Sequence, residues 1–263
     1  PTYYRGRTRR TPMLNQERRL TLVASYQNLL GVNTTERPVV YMEHGNGQTF
    51  EGRVHPSYAN GLERKNVRLI MVPAKRVADK VAADADVRIV GCPKLDYWHR
   101  QARKPRRRPP LVALSFHWDA TERFPESRSA WPHYTSLLPM LTAMRNAGEI
   151  DLLGHGHPLI IDKLIPHYQR HGIRYTRDFS RVLAEADVYV NDSSSTVYEF
   201  ASLNRPVVVL NAPWYRRDVE HGLRFWEYAD VGIQVDEADD VPDAIRAALD
   251  DPPTQRKRRK RAV

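Results

Sequence analysis

The stretch from Ala186 to Leu210, ADVYVNDSSSTVYEFASLNRPVVVL, constrains the fold more than any other part of this chain. Val188-Tyr189-Val190 is a short β-rich run. A polar turn follows, Asn191-Asp192-Ser193-Ser194-Ser195, and then a helix expected from about Thr196 to Leu203. Asn204-Arg205-Pro206 ends that helix, and Val207-Val208-Val209-Leu210 reads as a second buried strand. Strand, small-residue turn, helix and strand make one βαβ unit, whose strands must run parallel.

The turn is the place to look for chemistry. The first N–H groups of a helix lack intrahelical acceptors and carry partial positive charge. Serines beside them add hydroxyl donors with little bulk, so Ser193, Ser194 and Ser195 are suited to a phosphate or diphosphate. A plain cap is the competing explanation, because Thr196 with Glu199 fits a capping box. Three successive serines exceed what one cap needs, and Glu199 is placed to reach a ribose hydroxyl.

The rest of the chain repeats the same alternation. Pro38–Glu43, Val67–Val72 and Val87–Val90 read as strands in the first part, with a helix over Pro73–Ala83. Thr11-Pro12 looks like a helix start, and Leu22, Val23, Tyr26, Leu29 and Leu30 share one helical face up to Gly31. Leu111–Phe116, Asp151–Leu153, Ile173–Tyr175 and Val231–Val235 read as further strands. Helices are expected over 134–147, 160–171, 179–184, 214–228 and 241–249. Strands alternating with helices indicate parallel sheets. Arg100–Pro110, RQARKPRRRPP, breaks the alternation and reads as a linker.

Strand ends carry the other polar candidates. His44-Gly45-Asn46-Gly47 follows the strand at 38–43, and His117 follows the strand at 111–116. His155 and His157 follow Asp151–Leu153, interleaved with Gly154, Gly156 and Pro158. In an open α/β sheet, ligands bind beyond the carboxyl ends of the strands. The alternative at both histidine stretches is a structural turn, with glycines supplying positive φ. His155 and His157 point the same way from a strand end, but no third ligand is evident, so no metal site is expected.

Charge and length set the outer bounds. A chain of 263 residues holds one large domain or two modest ones. Sixteen of the 41 basic residues lie in three acid-free runs, at Arg5–Arg10, Arg100–Arg108 and Arg256–Arg261. The remainder, 25 basic against 31 acidic residues, is mildly acidic. Basic runs suit a polyanion such as nucleic acid, an acidic membrane face or a phosphate polymer; solvated ends are the bland alternative. No apolar run reaches membrane-spanning length, and PTYYRGRTRR is not followed by an apolar segment of the kind a signal peptide needs. The single Cys92 excludes an internal disulfide and points to a reducing compartment, so a cytoplasmic location is expected, including one peripheral to a membrane.

HG at a strand end, VGCPKLD before the linker, HP at a later strand end and ADVYVNDSSSTVYEFASLNRPVVVL together resemble the CDP-glycerol glycerophosphotransferase family, which includes teichoic acid polymerases. The combination also resembles the wider GT-B glycosyltransferases and UDP-sugar 2-epimerases. It spans most of residues 38–250 and is strongest over 150–210. The resemblance implies an α/β, GT-B-like fold with two Rossmann-like parallel-sheet domains, the first one small. Residues 1–99 would be an acceptor-side domain, 100–110 a basic linker, 111–250 the donor-binding domain and 251–263 a basic tail.

On that resemblance the chain transfers a glycerophosphate, polyol-phosphate or sugar group from a nucleoside-diphosphate donor, of CDP or UDP type, to an acceptor hydroxyl. His44 would be the general base, with Gly45, Asn46, Gly47 and His117 near the acceptor. His157 would act at the donor diphosphate, and Ser193, Ser194, Ser195, Glu199, His155 and Asp192 would bind the donor. No metal or separate cofactor is implied. The sequence departs from the family at HGNG, where HGT is usual, and at Ser193, where a tyrosine is usual. Two rivals stand beside this reading: a nucleotide-sugar glycosyltransferase acting on DNA or another polyanion, and a non-catalytic nucleic-acid-binding or structural protein on the same scaffold.

Overall fold

A computed structural model describes residues 20–24, 38–42, 67–79, 86–101, 108–119, 128–215 and 231–262. They form two parallel sheets. The first has four strands in chain order: β1 (Thr21–Val23), β2 (Val39–Met42), β3 (Val67–Val72) and β4 (Asp86–Ile89). α1 (Lys75–Ala78) lies between β3 and β4. Val39, Tyr41, Val67, Ile70 and Val72 pack as one apolar cluster with Val23.

β1 overturns the helix expected through Leu22 and Val23. Thr21 pairs with Val39 and Val23 with Tyr41. Two of its three residues are β-branched, which disfavours a helix and suits a strand beside another β-rich run. Three strands were legible here and four are present. Tyr26, Leu29 and Leu30 lie outside the described residues, as does most of the 214–228 stretch expected to be helical.

The second sheet has six strands: β5 (Leu111–Ser115), β6 (Asp151–Gly154), β7 (Arg174–Tyr175), β8 (Val188–Asn191), β9 (Val207–Leu210) and β10 (Ile233–Val235). Their order is β10-β9-β8-β5-β6-β7, all parallel. The chain therefore starts in the middle, builds outward through β6 and β7, then crosses to β8 on the other side of β5. This is the doubly wound arrangement, with its switch point between β5 and β8.

The apolar residues of the central strands divide cleanly between the two faces. Val112, Leu114, Val188, Val190, Val208 and Leu210 face one core, with α3 (Leu137–Asn146), α4 (Ile161–Arg170) and α7 (Val241–Asp250). Leu111, Ala113, Tyr189, Val207 and Val209 face the other, with α5 (Phe179–Glu185) and α6 (Thr196–Ser202). Period-two alternation puts neighbouring residues on opposite faces, so a strand covered on both faces reads as an unbroken apolar run. Each fully buried Leu or Val contributes about 1.5–3 kcal/mol through burial.

Two further segments close on this body. After β4 comes a tight turn at Pro93–Leu95 and then α2 (Asp96–Arg100). Leu95 is buried in the α6-side core, with Cys92 and Trp98 against it. The second segment is the basic tail. It is not an arm: Pro253–Ala262 forms α8, which packs against α6. Arg259 is 1% exposed.

Candidate functional site

The carboxyl ends of β5, β6 and β8 lie side by side, and each delivers sequence-predicted residues. Asp192, just past β8, is the clasp between them. Its Oδ1 accepts the His117 backbone N–H at 2.7 Å, just past β5. Its Oδ2 accepts the Ala130 N–H at 2.9 Å. Burial pushes its pKa up to about 6, against the opposing pull of the N–H groups of Ala130, Ser193 and His117. Both carboxylate oxygens are thus occupied in joining loops, rather than displayed to a ligand.

His117 and His157 meet across this edge, with ring centroids 5.2 Å apart. Trp118 lies against His157 at 5.9 Å, tilted by 32°. Their hydrogen bonds select the tautomers. His117 Nδ1 faces the Trp118 carbonyl at 3.0 Å, so that nitrogen carries the proton. His157 Nδ1 accepts the Leu159 N–H at 3.2 Å, so in the neutral ring the proton is on Nε2. His157 is half-buried and can offer that N–H to an anion.

His155 has a different place. It is buried, its ring lies against Phe179, and its Nδ1 is 2.9 Å from Ser115 Oγ. Burial lowers its pKa to about 4; Asp178 opposes this and His157 reinforces it. It is therefore neutral at pH 7 and sits beneath the strand ends.

The serine turn is tied to His155 from below. Tyr189, buried on β8, hydrogen-bonds Thr196 Oγ1 at 3.0 Å, and its hydroxyl also lies beside Ser115. Thr196 Oγ1 in turn donates to Ser194 Oγ at 2.9 Å, and the Thr196 N–H reaches the same oxygen at 3.3 Å. The chain His155, Ser115, Tyr189, Thr196, Ser194 is one polar network through the sheet. Ser193 is buried, and Ser194 and Ser195 are half-buried at the start of α6.

The capping box is not formed. Ser195 is the capping residue and makes no side-chain cap bond, while Ser194 Oγ accepts the Thr196 N–H. Glu199, 2% exposed, instead pairs with Lys94 Nζ at 2.6 Å, reaching the segment after β4. Ser202 Oγ and His99 Nε2, 3.2 Å apart, add a second link to that segment.

His44, Gly45, Asn46 and Gly47 lie outside the described residues. His117, His155, His157, Asp192 and the serines do converge. Ser115, Tyr189, Trp118 and Lys94 were not singled out from the sequence. A tyrosine in a buried strand followed by a hydroxyl-rich turn is the one signal that could have pointed to the network. Among the described residues no group of three His, Cys, Asp or Glu side chains is arranged to hold a metal. Nor is any helix among them long and apolar enough to cross a membrane.

One comparison with known proteins falls on the later part of the chain, and the others span nearly all of it. The sequence model of the CDP-Glycerol:Poly(glycerophosphate) glycerophosphotransferase family matches residues 141–262. No curated protein matches the sequence. Among solved structures, the chain is similar to S. aureus MnaA with UDP, at 14% identity and TM-score 0.52, covering 92% of this chain and 68% of that one. It is similar to the wall teichoic acid polymerase TagF with CDPG, at 13% identity and TM-score 0.54, covering 94% and 65%. A putative UDP-N-acetylglucosamine 2-epimerase from Listeria monocytogenes gives 14% identity and TM-score 0.56, covering 91% and 67%. The chain thus spans about two thirds of the length of these structures. At such identities the likeness is one of fold, the GT-B fold expected from the sequence. The matched family is one of transferases. From residue 141 to residue 262 the chain carries the sequence pattern of the glycerophosphotransferase family, on a GT-B-like scaffold of two parallel sheets.

Proposed function

We propose that this chain transfers a glycerophosphate, polyol-phosphate or sugar group from a nucleoside-diphosphate donor to an acceptor hydroxyl. One observation carries the reading: at the switch point of a doubly wound sheet His117 is bonded to Asp192, at the head of the serine turn, and its ring lies 5.2 Å from that of His157. The diphosphate lies against Ser193, Ser194 and Ser195, where the start of α6 favours negative charge. His157 donates its Nε2–H to a diphosphate oxygen. That bond strengthens as the departing nucleoside phosphate accumulates charge, so it lowers the barrier to transfer. Asp192 and His155 shape the site without touching the donor. Glu199, with Lys94, borders the nucleotide side and is the candidate for a donor hydroxyl.

The acceptor hydroxyl loses its proton to His44, an imidazole suited by its near-neutral pKa to act as a base. The transfer needs no covalent enzyme intermediate. Nucleotide release from CDP-glycerol and from UDP-sugars, measured side by side, tests the donor class. A preference for UDP-sugars would favour the glycosyltransferase reading, towards which the UDP-bound neighbour leans. No binding of either donor would leave only a scaffold. His157→Ala should lower turnover by about a hundredfold or more, the effect of losing one such donor. His44→Ala should abolish transfer and preserve donor binding. Near-normal turnover in either variant sinks its assignment.

A further inference from the structure

A buried carboxylate lies one turn into α6, and the cation that meets it comes from outside the sheet that carries it. Lys94 Nζ is 2.6 Å from Glu199 Oε1. Lys94 belongs to the turn after β4, the fourth strand of the first sheet. That turn is anchored on both sides of the lysine. Pro93 before it has a fixed φ. Leu95 after it is buried in the α6-side core, and its N–H donates to the Cys92 carbonyl at 2.9 Å. A little further on, His99 Nε2 and Ser202 Oγ tie α2 to the far end of α6. Lys94 is therefore carried on a held backbone, with a side chain 49% exposed whose ammonium is aimed at Glu199.

The pairing decides what the carboxylate can read. Burial penalises a carboxylate's charge, and an ammonium in contact offsets that penalty. While ionised, the group is an acceptor only, able to take hydroxyl protons on both oxygens; once protonated it loses acceptor capacity and brings a donor of its own. Hydrogen bonds to an ionised acceptor are also about twice as strong as those to a neutral one. Glu199 stands in register with the serine turn. Its N–H is bonded to the Ser195 carbonyl at 3.2 Å, so the two residues share one face of α6. They lie about 6 Å apart along the axis. That is the scale of the step from a nucleotide's α-phosphate to the hydroxyls of its ribose. A diphosphate on the serines brings the vicinal diol, two adjacent O–H donors, towards Glu199.

We infer that Lys94 is a positioning residue for the donor's ribose: it holds the Glu199 carboxylate charged and in one orientation, so that Glu199 reads the 2′,3′-diol. The inference rests on the transfer reading for the donor itself. Titration calorimetry on the full chain, with CDP and 2′,3′-dideoxy-CDP and with the matching uridine pair, tests it. For the base that binds more tightly, the wild type should prefer the diol about fortyfold, the worth of a bond to a charged acceptor. Lys94→Met should cut the preference to about fivefold, the worth of a bond to a neutral one. Lys94→Gln, which keeps a donor beside Glu199, should do the same and serves where methionine impairs folding. Lys94→Arg should retain most of the preference. Glu199→Gln should also give about fivefold, and combining it with Lys94→Met should take nothing more away, because the two side chains act as one unit. An unchanged preference in the uncharged lysine variants would overturn the proposal and leave Lys94 a clasp for its segment. A wild type that binds neither nucleotide, or binds both equally, would overturn it together with the donor reading. The expected preferences without any nucleotide release from CDP-glycerol or a UDP-sugar would uphold the positioning role and refute the transfer reading instead.

Discussion

Asp192→Asn is the sharpest test of how the site is held together. The carboxylate accepts two backbone N–H groups, from His117 and Ala130, and is buried with its pKa raised from 3.8 to about 6. A folded pKa above the unfolded one means that the native state binds the proton more tightly. Its contribution to stability is therefore fully present below about 3.8 and is lost as pH rises through about 6. The whole span is worth roughly 3 kcal/mol. Between pH 5 and 7.5 the wild type should lose about 1.4 kcal/mol that the variant, with nothing to titrate, does not. Asparagine adds a constant penalty. Its NH₂ must face one of the two N–H donors, leaving that donor unsatisfied at about 1–3 kcal/mol. His155 titrates in an overlapping range with the opposite sign: its lowered pKa gives stability above 6.5 that is lost as pH falls through about 4. It is present in both proteins, so the difference between them isolates Asp192. Urea denaturation at a series of pH values reads that difference directly. A stability gap independent of pH would refute the claim that a buried, ionisable clasp joins these loops.

Three other substitutions probe the supports. Tyr189→Phe removes the hydroxyl between Ser115 and Thr196; it should weaken donor binding through Ser194 while costing about 1 kcal/mol of stability, and calorimetry with CDP-glycerol beside urea melts separates the two. A Cβ on Gly154 would lie 2.5 Å from the Tyr168 ring, so Gly154→Ala should cost about 1–3 kcal/mol in a denaturant titration. Arg259→Met leaves buried Asp251 with only the more distant Arg256, at 3.8 Å, and should cost about 3 kcal/mol, much of it recovered by adding Asp251→Asn. Equal melting of the single and double variants would contradict this pairing.

From Leu111 to Leu210 and from Val231 to Leu249 the order of elements was legible because each apolar run matched the burial of one strand or one helix face. Local periodicity carries that information. The same rule failed at Thr21–Val23, where two apolar positions fit a helical stripe equally well and only pairing with Val39–Tyr41 decided for a strand. The strand-end histidines and the serines were legible as candidates for the reason that loops after parallel strands face one edge. Asp192 was read from the sequence as a donor-binding residue, and in the structure its carboxylate accepts two backbone N–H groups. Whether a carboxylate meets a ligand or two backbone amides depends on loops 62 and 75 residues away in sequence.

The amino-acid sequence by itself therefore determined the alternation of strand and helix, the polar turn at 191–195 and the family pattern that surrounds it. Only the tertiary structure decided that β5 lies between β6 and β8, that Tyr189 bridges Ser115 to the serine turn, and that Arg259 is turned inward while its neighbours face out. The reason is one of range. Propensity and periodicity act over a few residues, whereas the partner of a buried polar group is chosen by the packing of the whole sheet. A cation within a basic run looks solvated until an acid and a helix end close around it.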